Sequence, residues 1–221
     1  MAIYTPLGSL LLRAAIGSSV LQPSGSQQMA GSAFTSEAFA LPGASGALLL
    51  GRLDPGQLEE QWVDECWGVM WRVRSEVDQP EHLCQEFSCT WGLDTLWTET
   101  GWESRQSVVA RSWEHGLTQV ALGTIEPTAL QFYAEQAHFH LPPRWFHDRP
   151  EFFEFGCIKA SVAGVTVRYP ALRAGEVCHA QFVVAWKTRT DKDDQDAVLA
   201  VDLAPAQIFG AALGTDSDKA H

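Results

Sequence analysis

Apolar and polar residues alternate with a period of two through most of the chain, and this pattern predicts β-strands. In the clearest segment, residues 86–93, Phe87, Cys89 and Trp91 share one face while polar side chains occupy the other. Such alternation is expected where one face of a strand packs on a core and the other meets solvent. We therefore predict a mainly β protein, an antiparallel β-sandwich-like domain with two short helices, with an α+β fold as the alternative.

Several segments continue this pattern and are bounded by turn-forming residues. Residues 69–77 and 86–93 are predicted to form a hairpin around the Asp78–Glu81 turn, and 107–113 with 117–124 a second hairpin around Glu114–Gly116. The other predicted strands are 7–15, 33–41, 47–53, 152–159, 162–169, 177–187 and 197–203.

Capping signals predict the two helices. Asp54–Gln57 combines an N-cap carboxylate with proline at the first helical position, and the helix it starts is expected to end before Gly68. Thr128–Gln131 forms a capping box, and the second helix is expected to run until Pro142 stops it.

The length of 221 residues suits one β-sandwich, and 46% apolar residues supply its core. We expect a single domain over residues 1–213, with a flexible loop near 22–32 and a disordered tail at 214–221. The apolar stretch Leu7–Leu21 lacks a preceding basic region and contains Arg13, so it is not predicted to be a signal peptide. The expected location is the cytoplasm.

Charge narrows the class of partner. Fifteen Lys and Arg against 27 Asp and Glu give a formal net charge of −12. This charge repels phosphate backbones and anionic membranes, so we expect neither nucleic acid nor a membrane as a partner. It would steer a basic protein towards the chain, although acidity also serves solubility.

Motifs for catalysis are missing from the sequence. The five cysteines are odd in number, scattered and without a CxxC pair, so they predict buried thiols and no disulfides. No nucleophile elbow or phosphate-binding loop occurs. Cys178 and His179 are neighbours on a predicted strand and point to opposite faces, so His179 is expected to face solvent or to be satisfied locally. We predict no catalytic residue, cofactor or metal.

Segment 142–155 alternates aromatic and charged residues between prolines. Trp and Arg often anchor protein interfaces, and a stiff loop loses little entropy on binding. The predicted binding residues here are Arg144, Trp145, Phe146, His147 and Arg149. In a competing interpretation, the aromatics close one end of the sandwich and the arginines pair with Glu151 and Glu154.

Two further tryptophans, Trp97 and Trp102, lie in the polar stretch 95–104 and are a second candidate binding pair. His138, His140 and His147 form the densest group of possible metal ligands. On a continuous helix, however, residues two apart point roughly 200° apart, so His138 and His140 could share an ion only in an extended segment.

These features together predict a non-enzymatic, acidic interaction protein that docks a protein partner, as an inhibitor, immunity or assembly factor does. The alternative is an enzyme or small-ligand carrier with a His- and Trp-lined pocket around residues 138–151, with or without a metal.

Overall fold

The computed structural model describes residues 1–20, 25–28, 34–41, 43–53, 63–104, 108–134, 139–190 and 196–202. In chain order the strands are β1 (Ala2–Thr5), β2 (Gly8–Ile16), β3 (Ser19–Val20), β4 (Gly25–Gln28), β5 (Phe34–Leu41), β6 (Ala44–Arg52), β7 (Glu65–Ser75), β8 (Gln85–Trp91), β9 (Glu99–Ser104), β10 (Val108–His115), β11 (Thr118–Ile125), β12 (Ile158–Ser161), β13 (Gly164–Tyr169) and β14 (Val177–Thr188). The helical segments are α1 (Pro127–Ala134), α2 (Pro143–Asp148), a π-helical turn (Phe152–Gly156) and residues 196–202.

The strands form two antiparallel sheets, which confirms the predicted β-sandwich-like fold. The first sheet runs β1-β2-β8-β13-β12, with β3 also paired to β2. The second sheet runs β4-β5-β6-β7-β14-β11-β10-β9. None of the helices in the described ranges is long and apolar enough to cross a membrane.

Aromatic side chains fill the space between the sheets. The ring of Trp71, on β7 of the second sheet, lies 6.2 Å from that of Phe87 on β8 of the first. Phe87 in turn lies 6.0 Å from Tyr169 on β13. All three side chains are buried, and large aromatic rings supply much of the apolar area that stabilises such a core.

The outer face of the second sheet is covered as well, so β14 is buried on both sides. A Cβ atom at Gly123 would lie 3.1 Å from Cβ of Val201, so the helical residues 196–202 pack directly on β11. Glycine leaves the room for this close approach. A strand buried on both faces loses the polar alternation that marks a half-exposed strand.

One predicted hairpin is wrong. Residues 69–77 and 86–93 do form strands, but β7 pairs with β6 and β14 in the second sheet, whereas β8 pairs with β2 and β13 in the first. The chain crosses from one sheet to the other through residues 76–84. Both strands turn apolar faces inward, and the alternation is identical for strands that are paired and for strands that face each other across a core.

Four other segments differ from prediction. Residues 152–156 form a π-helical turn before the short strand β12, and residues 196–202 are helical rather than extended. The predicted first helix lies mostly outside the described residues, but its end is wrong, because β7 already begins at Glu65. Within the predicted loop 22–32, Gly25–Gln28 pair with β5 as a strand.

Other described elements were not predicted, namely β1, β3, β9 and α2. The second helix was expected to reach Pro142, but residues 139–142 are not helical, because the backbone of His140 pairs with His179 on β14 instead.

The strands at 7–15, 33–41, 47–53, 162–169 and 177–187 are present, as is the second hairpin, β10 with β11. Its turn is the pair Gly116–Leu117, with Gly116 at φ 62°. α1 begins at Pro127, next to the predicted Thr128, and buries Leu130. The predicted tail 214–221 lies outside the described residues.

Gly164 offers a test of this packing. Its φ is +142°, and an added Cβ would lie 2.1 Å from the carbonyl oxygen of Cys89 on the neighbouring strand. We expect Gly164→Ala to lower the free energy of unfolding by about 3 kcal/mol or more, because strain and a backbone clash act together. Gly116, at φ +62° with nothing within 4 Å, is the control, and Gly116→Ala should cost about 1 kcal/mol from strain alone. Equal losses in the free energy of unfolding for the two variants, measured by urea denaturation, would contradict this explanation.

Candidate functional site

A cleft of about 210 Å³ lies where α2 meets the β7–β8 and β13–β14 loops. Its lining residues are Glu81, Arg144, Trp145, Asp148, Arg149, Pro170, Ala171 and Arg173. We call it the arginine cleft, because three of these eight side chains are arginines.

Trp145 forms the wall that joins the cleft to the core. Pro143 starts α2 at a position where a helix tolerates proline, and this places the Trp145 side chain against the sandwich, with 1% of its surface exposed. Its ring stacks on Tyr169 at 5.5 Å and on Phe153 at 6.0 Å between centroids. Its indole N–H donates to the carbonyl oxygen of Ala171 at 3.3 Å. This wall is therefore rigid.

Arg144 is held in a fixed plane by Glu176. Its Nε and Nη2 donate to the two carboxylate oxygens of Glu176 at 2.7 Å each, and Nη2 also donates to the carbonyl oxygen of Ala171 at 2.7 Å. This is the two-pronged geometry that gives arginine–carboxylate pairs their directionality. Burial alone would raise the pKa of Glu176, but hydrogen bonds from Arg144 and from the Arg173 backbone outweigh it, and the pKa lies below its usual value.

Arg149 and Arg173 line the same cleft with exposed side chains. In the part of the chain that the structure describes, neither guanidinium takes part in an ion pair. The loop that carries Arg173 is nevertheless anchored, since its backbone N–H donates to Glu176 at 2.6 Å. Glu81 and Asp148 bring negative charge to the lining, so the arginine cleft presents both signs.

Three of the five predicted binding residues on segment 142–155, namely Arg144, Trp145 and Arg149, come together in the arginine cleft. Phe146 is half-buried instead and packs on Phe153 at 4.7 Å between ring centroids. The side chain of His147 is 91% exposed and its Nδ1 lies 3.0 Å from Oδ1 of Asp148. Neither Phe146 nor His147 lines the cleft.

The competing interpretation of the segment also describes part of the structure. Trp145 and Phe153 are buried and close this end of the sandwich. The expected arginine pairing is different, however, because Arg144 pairs with Glu176 and not with Glu151, and the side chain of Glu154 lies outside the described residues. Glu176 lies on the loop before β14, and the sequence contains no local signal that relates it to α2.

Of the second predicted pair, Trp97 does not line the arginine cleft. Trp97 is half-buried against the core. Trp102 lies in β9 opposite Arg111, and its side chain lies outside the described residues.

The histidines are arranged differently from the predicted cluster. His138 lies outside the described residues, and His147 is exposed on α2. His140 pairs with β14: its backbone N–H donates to Nδ1 of His179 at 2.9 Å, and its carbonyl oxygen accepts from the backbone N–H of His179 at 2.9 Å. Across the described ranges, no group of three or more His, Cys, Asp or Glu side chains could hold a metal ion.

His179 was expected to face solvent or to be satisfied locally, but the long-range contact with His140 buries it to 1% exposure. It does point away from Cys178, as predicted for neighbouring strand residues. Burial, followed by the nearby charges of His140 and Arg72, lowers the pKa of His179 to about 3. The side chain is therefore neutral over the whole physiological pH range.

The buried cysteines have raised pKa values. Burial raises the pKa of Cys66 and of Cys157 to about 12, and it also raises the pKa of Cys89 and of Cys178. These four side chains are thiols at neutral pH and are poor nucleophiles.

His179 makes stability depend on pH. Its pKa falls from 6.5 in the unfolded chain to about 3 in the fold, so its contribution is complete above pH 6.5 and is lost as the pH falls towards 3. From pH 7 to pH 5, protonation of His179 in the unfolded chain lowers the free energy of unfolding by about 2 kcal/mol. We expect His179→Gln to lack this loss in urea denaturation, whereas His147→Gln retains it. The same pH dependence in both variants would contradict the assignment.

The comparisons with known proteins add little to this geometry. No protein-family model and no curated protein matches the chain. One solved structure that does match is a protein from the human microbiome provisionally assigned as a kojibiose phosphorylase, with 9% identity and a TM-score of 0.49. The match covers 90% of this chain and 26% of that chain, so this chain spans about a quarter of that protein. A likeness at this level supports no conclusion about function.

Proposed function

We propose that this protein is a non-enzymatic binding protein that docks a protein partner at the arginine cleft. The observation that carries the proposal is a preformed surface: Arg144 and Trp145 are held rigidly beside Arg149 and Arg173, which form no ion pairs with the described residues. Arg and Trp are over-represented among residues that dominate binding energy. A surface that is already ordered also loses little entropy when a partner binds.

The charge of the chain favours a basic partner. A net charge of −12 attracts a positively charged protein over distances longer than the cleft itself and speeds its encounter. Within the cleft, Glu81 and Asp148 can pair with its cations. A protein that docks a basic partner in this way would act as an inhibitor, immunity or assembly factor.

We propose that the protein binds its partner in the cytoplasm. All five cysteines are free, and reduced thiols persist in the cytosol, where disulfides are rare. Binding of the partner at the arginine cleft needs no covalent step, in keeping with the raised pKa values of the four buried thiols.

Capture of partners from the native host, followed by affinity measurements with the purified partner, tests the proposal. We expect Arg149→Glu with Arg173→Glu to weaken binding at least about tenfold, although the chain becomes more negative, because anionic groups of the partner lose two cations in the cleft and meet two carboxylates instead. The matched control is Arg13→Glu with Lys159→Glu, two exposed cations on β2 and β12 that do not line the cleft. Both pairs change the net charge equally.

The two variants separate a specific site from a general effect of charge. A partner that is lost only with the cleft pair supports the proposal. Both pairs make the chain more negative, so equal tightening of a basic partner by both would show that the partner responds to net charge alone. Partners unaffected by the cleft pair would exclude the arginine cleft as the docking site.

A further inference from the structure

We infer that the group bound in the arginine cleft is a side-chain carboxylate of the partner flanked by positively charged residues, with Arg144 as its fixed donor. This inference rests on the proposed function, because it names the part of the partner that enters the cleft.

Arg144 has unused donors in a fixed orientation. A guanidinium carries five N–H donors, and the hydrogen bonds to Glu176 and Ala171 use Nε and Nη2. The two N–H groups of Nη1 have no partner among the residues that the structure describes. Because Glu176 and Ala171 set the plane of the guanidinium, the direction of Nη1 is set before any ligand arrives. Glu176 is thus a positioning residue.

Arg149 and Arg173 complete the site as exposed cations on the same lining. A carboxylate accepts hydrogen bonds at both oxygens and pairs with guanidinium groups in a forked geometry. The cleft of about 210 Å³ has room for a side chain of a partner.

Glu81 and Asp148 determine what must accompany the carboxylate. Together with Glu176 they balance the three arginines, so the neighbourhood of the cleft is close to neutral. An isolated anion therefore gains little electrostatic binding energy in the cleft, and the net charge of −12 repels an acidic peptide as it approaches the protein. A partner carboxylate that is flanked by lysines or arginines can pair with the arginines of the cleft, while its flanking cations pair with Glu81 and Asp148. Such a carboxylate belongs to a segment with net positive charge.

Three short peptides distinguish the chemistry. The probes are acetyl-Gly-Lys-Asp-Lys-Gly-amide, the same peptide with Asn in place of Asp, and the same peptide with phosphoserine there. Binding is followed by two-dimensional NMR of backbone and arginine side-chain N–H groups. We expect the Asp peptide to shift the signals of Arg144, Arg149 and Arg173 and to bind at least about fivefold more tightly than the Asn peptide.

Three variants test the roles of the residues. Arg149→Gln with Arg173→Gln should weaken the Asp peptide about tenfold, whereas the matched control Arg13→Gln with Lys159→Gln should leave its affinity unchanged. Glu176→Gln should reduce the preference for Asp over Asn while the rest of the spectrum stays that of the folded protein. A merely structural role for Glu176 would lower stability and leave that preference intact.

The outcomes separate the inference from the proposed function. Equal binding of the Asp and Asn peptides, or tighter binding of the phosphoserine peptide, overturns the carboxylate assignment. If this happens while partner capture still depends on Arg149 and Arg173, docking at the cleft stands and only its ligand chemistry is wrong. If the peptides behave as expected and no captured partner depends on the cleft, the proposed function fails.

Discussion

A continuous line of aromatic rings connects the core of this protein to its candidate site. Trp71 packs on Phe87, Phe87 on Tyr169, and Tyr169 on Trp145. Each large aromatic ring buries on the order of 150–250 Å², so this line joins the two sheets and also fixes α2. Because Trp145 is the ring of this line that lies on α2, the position of its neighbour Arg144, and hence the shape of the arginine cleft, depends on how the sheets pack.

Local and global electrostatics differ at this site. The chain as a whole is strongly acidic, yet the cleft collects three of its fifteen cationic side chains. At physiological ionic strength exposed charges are screened over about 8 Å, so nearby groups decide what the cleft holds, while the net charge affects approach. The Arg144–Glu176 pair is about three-quarters buried, and this partial burial makes it directional as well as attractive.

Part of the site could be predicted because its signal is local. Arg144, Trp145 and Arg149 lie within six residues of one another on a proline-bounded segment. Glu81, Arg173 and Glu176 could not be predicted in the same way, since they lie on two loops that are distant in sequence. Each of these loops connects a strand of one sheet to a strand of the other, β7 to β8 and β13 to β14. The predicted hairpin between residues 69–77 and 86–93 would instead keep both strands in one sheet.

The sequence by itself determined where most of the strands lie and which of their faces turn inward, because a period of two is a property of the local backbone. Only the tertiary structure decided which sheet each strand joins, since paired and facing strands carry the same alternation. It also decided that residues 196–202 are helical where they pack against Gly123, and that His179 is buried beside His140. Both outcomes depend on contacts between residues far apart in the chain, which no local pattern records.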